Sequence, residues 1–354
     1  MEICIGMVGA SGAGKTSLMT AMFEDMSRQL VVHDETRGLV RISHDDMATK
    51  QAIGEARRRF SDCVRLGRFV AWERSAKCSQ FVFHVRFIKD ELEKAYDFRI
   101  MDYPGGMLSD PEKFEKTCLS HIRRSAVLFV PIDAVALVSW ADARKGDPEL
   151  AAKVISSLQI DRVKEIARIW AKERVVATPT RLLFFVPVKT ESFYSDNRNC
   201  TTDRSADISA AVRELYVEPL QDICREGCVE MQLHPVDTYG CVKLESAKWN
   251  GENQALEETF DVSGGKVLAP TGAVNLFSAT LVAFVKANAE ESKRRVETSR
   301  EKIQNRGTFS KLFHAVFGDA EKVKMQKNKT AADFYADASN AICAFSTSSR
   351  PTTI

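Results

Sequence analysis

The chain has 354 residues, with 50 Lys and Arg against 48 Asp and Glu, a formal charge of +2. Apolar residues make up 44% and charged residues 28%, which excludes a disordered or membrane-embedded chain and suits one large domain with an appendage, or two domains. The near-neutral balance offers no electrostatic footprint for nucleic acid, so none is expected as a partner. Nine scattered cysteines without a C-x-x-C pair read as structural thiols of a reducing cytoplasm, not as a disulfide frame or a zinc site.

The amino terminus enters an apolar run, Ile3 to Val8, at once. With no basic leader ahead of it, no signal peptide is expected, and no apolar run reaches the length of a membrane span. Gly9-Ala10-Ser11-Gly12-Ala13-Gly14-Lys15-Thr16 follows, a complete G-x-x-x-x-G-K-[ST] loop, and Ser17 to Gln29 reads as a helix. Strand, glycine-rich turn and helix is the order this loop needs. Backbone N–H groups from Ser11, Gly12, Ala13 and Gly14 through Lys15, Thr16 and Ser17 are expected to face phosphate oxygens. Lys15 would meet the β- and γ-phosphates, and the Thr16 hydroxyl would ligate Mg²⁺.

Residues 33–46 are polar and rich in turn formers, and a charged helix with Arg57, Arg58 and Arg59 is expected after them. Gln80 to Lys89 then alternates, with Phe81, Phe83, Val85 and Phe87 on one face. A charged turn leads to a second extended run, Tyr96 to Met101, so the pair reads as an antiparallel hairpin. The second strand ends in Asp102-Tyr103-Pro104-Gly105-Gly106, a D-x-x-G element. Asp102 at a strand end is placed to anchor Mg²⁺ through water, and the Gly105 N–H to meet a γ-phosphate.

With a hairpin entering this element and a phosphate loop upstream, the chain resembles the translation-factor class of P-loop GTPases. Within that class it is similar to a bacterial branch that includes the YcjX-like proteins and the double-GTPase families. The likeness spans roughly residues 1–285 and rests on those two motifs. It implies an α/β fold, a three-layer P-loop NTPase with a mostly parallel sheet, one antiparallel hairpin strand and a C-terminal helical extension. It also implies GTP and Mg²⁺ as ligands.

A guanine site of this class uses [NT]-K-x-D after a strand. The lysine stem packs on the purine, and the acid accepts from the base. Here the run ending at Val186 leads to Pro187-Val188-Lys189-Thr190-Glu191, so Lys189 and Glu191 keep the spacing while Val188 and the longer acid depart from it. The alternative is a charged strand end at the surface. Asp237-Thr238-Tyr239-Gly240, after an expected last strand at Val229 to Val236, stands where the class has its final base-contacting loop. Switch I leaves Thr36 and Ser75 as competing Mg²⁺ ligands. Gly106 stands where a water-orienting glutamine is common, so intrinsic hydrolysis is expected to be slow. Arg74 is either a cis arginine finger or a surface arginine.

Ala126 to Ile132 and Arg181 to Val188 read as buried strands, Pro148 to Arg174 as a long amphipathic stretch and Ser205 to Cys224 as a helix. Beyond Ala273 the pattern is helical. Residues 290–329 hold eleven Lys and Arg against six Asp and Glu, around an aromatic segment from Phe309 to Phe317. That segment packs on the core, or it meets a partner or an anionic membrane surface. The expected division is 1–287 for the GTPase domain, 288–345 for a helical extension and 346–354 for a disordered tail. The function implied is a cytoplasmic, Mg²⁺-dependent GTP-binding switch with slow hydrolysis, in which Lys15, Asp102 and Gly105 act on the triphosphate and a protein effector or stimulating partner assists. An ATPase on the same loop and a non-hydrolysing nucleotide-bound scaffold remain the alternatives.

Overall fold

The computed structural model describes residues 2–29, 31–34, 38–43, 46–69, 78–89, 92–173, 180–252, 254–262, 267–304, 326–333, 335 and 352–353. The chain opens with β1 (Glu2–Met7) and α1 (Lys15–Gln29), followed by β2 (Val31–Asp34), β3 (Gly38–Ser43), α2 (Met47–Leu66) and β4 (Arg68–Phe69). The long hairpin β5 (Ser79–Lys89) and β6 (Leu92–Asp102) is next, then α3 (Pro111–Phe114) and α4 (Ser120–Arg124). β7 (Val127–Asp133), α5 (Ala134–Ala143), α6 (Pro148–Ser157), α7 (Ile160–Lys172) and β8 (Arg181–Val188) form the middle of the chain. α8 (Ser205–Val212), α9 (Glu218–Glu226), β9 (Val229–Leu233), β10 (Lys243–Asn250), β11 (Ala255–Asp261), α10 (Ala273–Gln304) and β12 (Thr352–Thr353) complete it.

Among the described residues one sheet runs in the order β12-β9-β8-β7-β1-β6-β5-β3-β2, and a second in the order β10-β11-β4. β9, β8, β7, β1 and β6 are parallel neighbours, and β5 joins β6 antiparallel with Ser79 opposite Asp102. This is the expected three-layer α/β sheet with its antiparallel hairpin. Helices cover both faces, so the central strands are apolar throughout, and β7 and β8 are buried at every residue. Pleating sends Phe129, Leu182 and Phe184 to the face covered by α1 and α10. Leu128, Val130, Leu183 and Phe185 go to the face covered by α4, α5, α7 and α8. On the first face, Phe277 of α10 lies with its ring 4.8 Å from Phe98 and 6.4 Å from Phe83. The Asp25 carboxylate accepts from the Val274 N–H at 2.9 Å and caps that helix.

Several expectations change. The polar stretch at residues 33–46 contains most of the β2–β3 hairpin, which lies at the sheet edge. The strand after α9 is not the last, because β10 and β11 follow it. The described part of the expected amphipathic stretch, residues 148–173, holds two helices, broken where Gln159 turns left-handed at φ 50°. The helical run after Ser205 passes through a wider turn at Arg213–Val217, just before Pro219, which lacks the N–H an α-helix would use there. α10 continues unbroken through residues 287 and 288, where the composition turns from apolar to charged along one helix. The aromatic segment from Phe309 to Phe317 lies outside the described residues.

Candidate functional site

The parallel strands end on one rim. β1 runs into the phosphate loop, β6 into Asp102, β7 into Asp133 and β8 into Lys189, while a parallel bridge between Val188 and Val236 brings Asp237 to the same edge. The carboxyl ends of an open α/β sheet, where strand order reverses beside β1, are where such folds bind ligands.

The phosphate loop has the geometry its glycines allow. Gly12 and Gly14 sit at φ +80° and +83°, a region that L side chains avoid. Lys15 is buried and folds back on its own loop, donating to the Gly9 and Ala10 carbonyls at 2.8 and 2.9 Å. Burial pulls its ammonium down to about 8, against the opposing pull of the Asp102 charge. The Thr16 hydroxyl donates to Asp102 Oδ2 at 2.6 Å. Burial pushes the Asp102 carboxyl up, while the Thr16 bond and Lys15 act the other way. Asp102 Oδ1 is buried and has no partner among the described residues. One hydroxyl and one carboxylate with a spare oxygen are hard donors that fit Mg²⁺, which keeps most of its waters and takes few protein ligands.

The D-x-x-G turn lies directly against the phosphate loop. A Cβ on Gly105 would stand 2.3 Å from Ser11 Cα and 2.5 Å from Ser11 N. Only glycine permits this approach, so the position of Gly105 is coupled to the loop backbone through contact. At Gly106 a Cβ would meet open space. Thr36, Arg74 and Ser75 lie outside the described residues.

Lys189 and Glu191 are not surface charges, which corrects that alternative. The Lys189 side chain is 14% exposed and Glu191 is 1% exposed. Lys189 adopts a left-handed backbone at φ 61° and donates to Asp133 Oδ2 at 2.5 Å and Glu258 Oε2 at 2.6 Å. Burial opposes the lysine charge, but the two carboxylates more than offset it and hold Lys189 well above its ordinary value. Asp133 Oδ1 meanwhile caps α5 by accepting from the Val135 and Ala136 N–H groups. Val188, where the guanine motif has an amide or hydroxyl, packs on the phosphate loop: its Cγ2 would be 3.0 Å from a Cβ on Gly14.

Glu191 reaches the turn that follows β9. Its Oε1 accepts from the Tyr239 and Gly240 N–H groups at 2.6 and 3.1 Å, while its Oε2 is buried without a partner among the described residues. Burial, then the Asp237 charge, push its carboxyl upward. Gly240 is at φ +69°, and a Cβ there would lie 1.7 Å from the Ala269 carbonyl oxygen. The Tyr239 hydroxyl shares a 2.7 Å hydrogen bond with the Ser17 hydroxyl, and its ring stacks on Phe60 of α2 at 6.2 Å. The turn at residues 237–240 therefore ties the start of α1 to the base side of the rim.

Residues 3–217 match the family described as Double-GTPase 2. The chain belongs to this family. Its phosphate loop, Asp102, Gly105, Lys189 and Glu191 all fall inside the matched residues. The solved S. cerevisiae Ski7 GTPase-like domain, bound to GTP, is similar at a TM-score of 0.37 and 14% identity, over 67% of this chain and 43% of that one. The match thus spans less than half of the yeast chain. No curated protein matches. No described helix is long and apolar enough to cross a membrane.

In this Double-GTPase 2 chain the rim holds functional candidates that motif reading passes over. Asp133 was legible only as a helix cap, an Asp between a buried strand and an alanine-rich helix. Glu258 and Phe60 gave no signal, because each reaches the rim from an element far along the chain. Tyr239 stands in the turn expected to be the final base-contacting loop, and its hydroxyl bonds to Ser17.

Proposed function

We propose that this chain is a Mg²⁺-dependent GTP-binding switch that hydrolyses GTP slowly and is accelerated by a protein partner in the cytoplasm. The observation that carries this reading is the contact of Gly105 with the phosphate-loop backbone, one turn after Asp102 bonds Thr16. A γ-phosphate entering beside Ser11 needs that space, so the triphosphate and the D-x-x-G turn cannot both keep this arrangement. Switch behaviour follows from that competition.

Lys15 turns from its own carbonyls toward the β- and γ-phosphates and neutralises charge as the γ-phosphoryl leaves. Thr16 and Asp102 would hold Mg²⁺, which would supply further neutralisation of the phosphate oxygens. The Gly105 N–H donates to the γ-phosphate. Gly106 orients no water, which supports slow turnover and a group supplied by a partner. The unpartnered Glu191 Oε2 supports guanine recognition, as a buried acceptor left for the N1 and N2 protons. A second reading, ATP in place of GTP, is favoured by the engagement of Oε1 with the Tyr239 and Gly240 N–H groups.

Affinities for GTP, GDP, ATP and ADP, with and without Mg²⁺, test this on one preparation. Guanine nucleotides should bind more tightly, and Lys15→Ala should remove binding while leaving the circular-dichroism spectrum unchanged. Preference for ATP would replace GTP with the second reading. Rapid turnover by the isolated chain would remove the partner-dependent switch.

A further inference from the structure

We propose that Glu258, on the small β10-β11-β4 sheet, is a positioning residue for Lys189, so that this sheet forms part of the purine site. This rests on the guanine reading above. The Lys189 ammonium is held at two points, by Asp133 from the end of β7 and by Glu258 from β11. A structural tie needs one acid. The second is not a second charge: burial, then the Asp133 charge, push the Glu258 carboxyl up, so what it adds to the lysine is a second point of contact. Glu258 is almost fully buried on a hairpin whose other residues are largely half-exposed or exposed, so its acid is aimed inward at a specific target.

Two-point fixation has a chemical use. A lysine whose stem supports a flat purine must keep that stem still, and its backbone here is already in the left-handed region that L-residues avoid. With the ammonium clamped, the stem between a fixed Cα and a fixed Nζ has little freedom, and the exposed part of its side chain remains for the ring. The sheet is docked on the same turn a second time: the Leu244 N–H of β10 donates to Ser192 Oγ at 2.7 Å. Glu258 lies beyond the family-matched residues 3–217, so this part of the site belongs to the segment that follows them. β4 of the same sheet directly follows α2, whose Phe60 stacks on Tyr239. The small sheet therefore meets the turn after β8 at two points, Glu258 on Lys189 and Leu244 on Ser192.

The test measures affinities for GDP, ADP and inorganic pyrophosphate on the wild type, Glu258→Ala, Lys189→Met and the double variant. The ratio of GDP to pyrophosphate affinity, which isolates the purine contribution, is taken on one preparation, so unfolded protein cancels. Glu258→Ala should lower that ratio at least tenfold while pyrophosphate, which reads the phosphate loop alone, binds as before. The double variant should be no worse than Lys189→Met, because Glu258 acts through that lysine. An unchanged GDP to pyrophosphate ratio in Glu258→Ala, with a wild type that prefers GDP to ADP, overturns this inference alone. Parallel loss of pyrophosphate binding, or additive loss in the double variant, overturns it too. A wild type that binds GDP and ADP equally overturns the guanine reading and this inference with it.

Discussion

Lys15 waits in a state that its ligand must change. Its ammonium is buried on two carbonyls of its own loop and pulled down to about 8. Phosphate oxygens would restore the charged form, so the complex holds the proton more tightly than the free protein does. Below pH 8 the free lysine is already charged and binding takes up no proton. Above it, binding must supply one, and affinity should fall as pH rises, approaching about tenfold per unit. Isothermal titration of GDP between pH 7 and pH 9.5 measures this, and a flat profile would mean that the Lys15 charge is not what the phosphates meet. The same residue shows what a motif conveys. Its identity and neighbours were legible from eight consecutive residues, while its burial depends on Tyr103, whose ring lies 5.8 Å from Nζ. Glu191 is the converse. Its spacing from Lys189 suggested a base contact, and the fold also directs one of its oxygens to the backbone of a turn 48 residues away.

At the scale of elements, apolar pattern located what is buried. β8 coincides with its expected run because both faces of a parallel strand are covered, and every residue there is apolar or packed. β10 and β11 gave no comparable pattern. Their residues are mostly half-exposed, with Leu244, Ala247, Trp249, Leu256 and Phe260 packed on the core among polar ones, and the hairpin is further docked on Ser192 and Lys189. α10 closes one face of the sheet through Phe277, which lies against Phe98 and Phe83. Phe277→Ala should therefore cost about 3–5 kcal/mol of unfolding free energy, since the cavity sits between a sheet and a helix that cannot collapse fully. Urea denaturation reads this as a lower midpoint at unchanged slope. A loss below about 1 kcal/mol, the cost of an ordinary surface-like change, would show that α10 is not what closes that face.

At the scale of the whole molecule, the phosphate loop at one edge of the rim and the Glu258 sheet at the other are joined by the same central strands. Ligand binding at the rim should stabilise the chain as a unit. Mg-GTP at a hundred times its dissociation constant contributes about 2.7 kcal/mol, which for a chain of this size raises the melting temperature by roughly 3–5 °C. Differential scanning fluorimetry measures it, and Lys15→Ala should show no rise. A wild type that melts at the same temperature with and without nucleotide would set aside the rim as the binding site. The sequence by itself determined the phosphate loop, the Asp102 to Gly105 element and the central strands, because each depends on residues that are consecutive or on a local period. Only the tertiary structure decided that Asp133, Lys189 and Glu258 share one buried cluster, that Gly105 lies on Ser11, and that Tyr239 meets Ser17. Those contacts join residues 56 to 222 positions apart, and Gly105 to Ser11 across the sheet. They depend on strand order and on which side chains are desolvated together, and neither is written in any local run of residues.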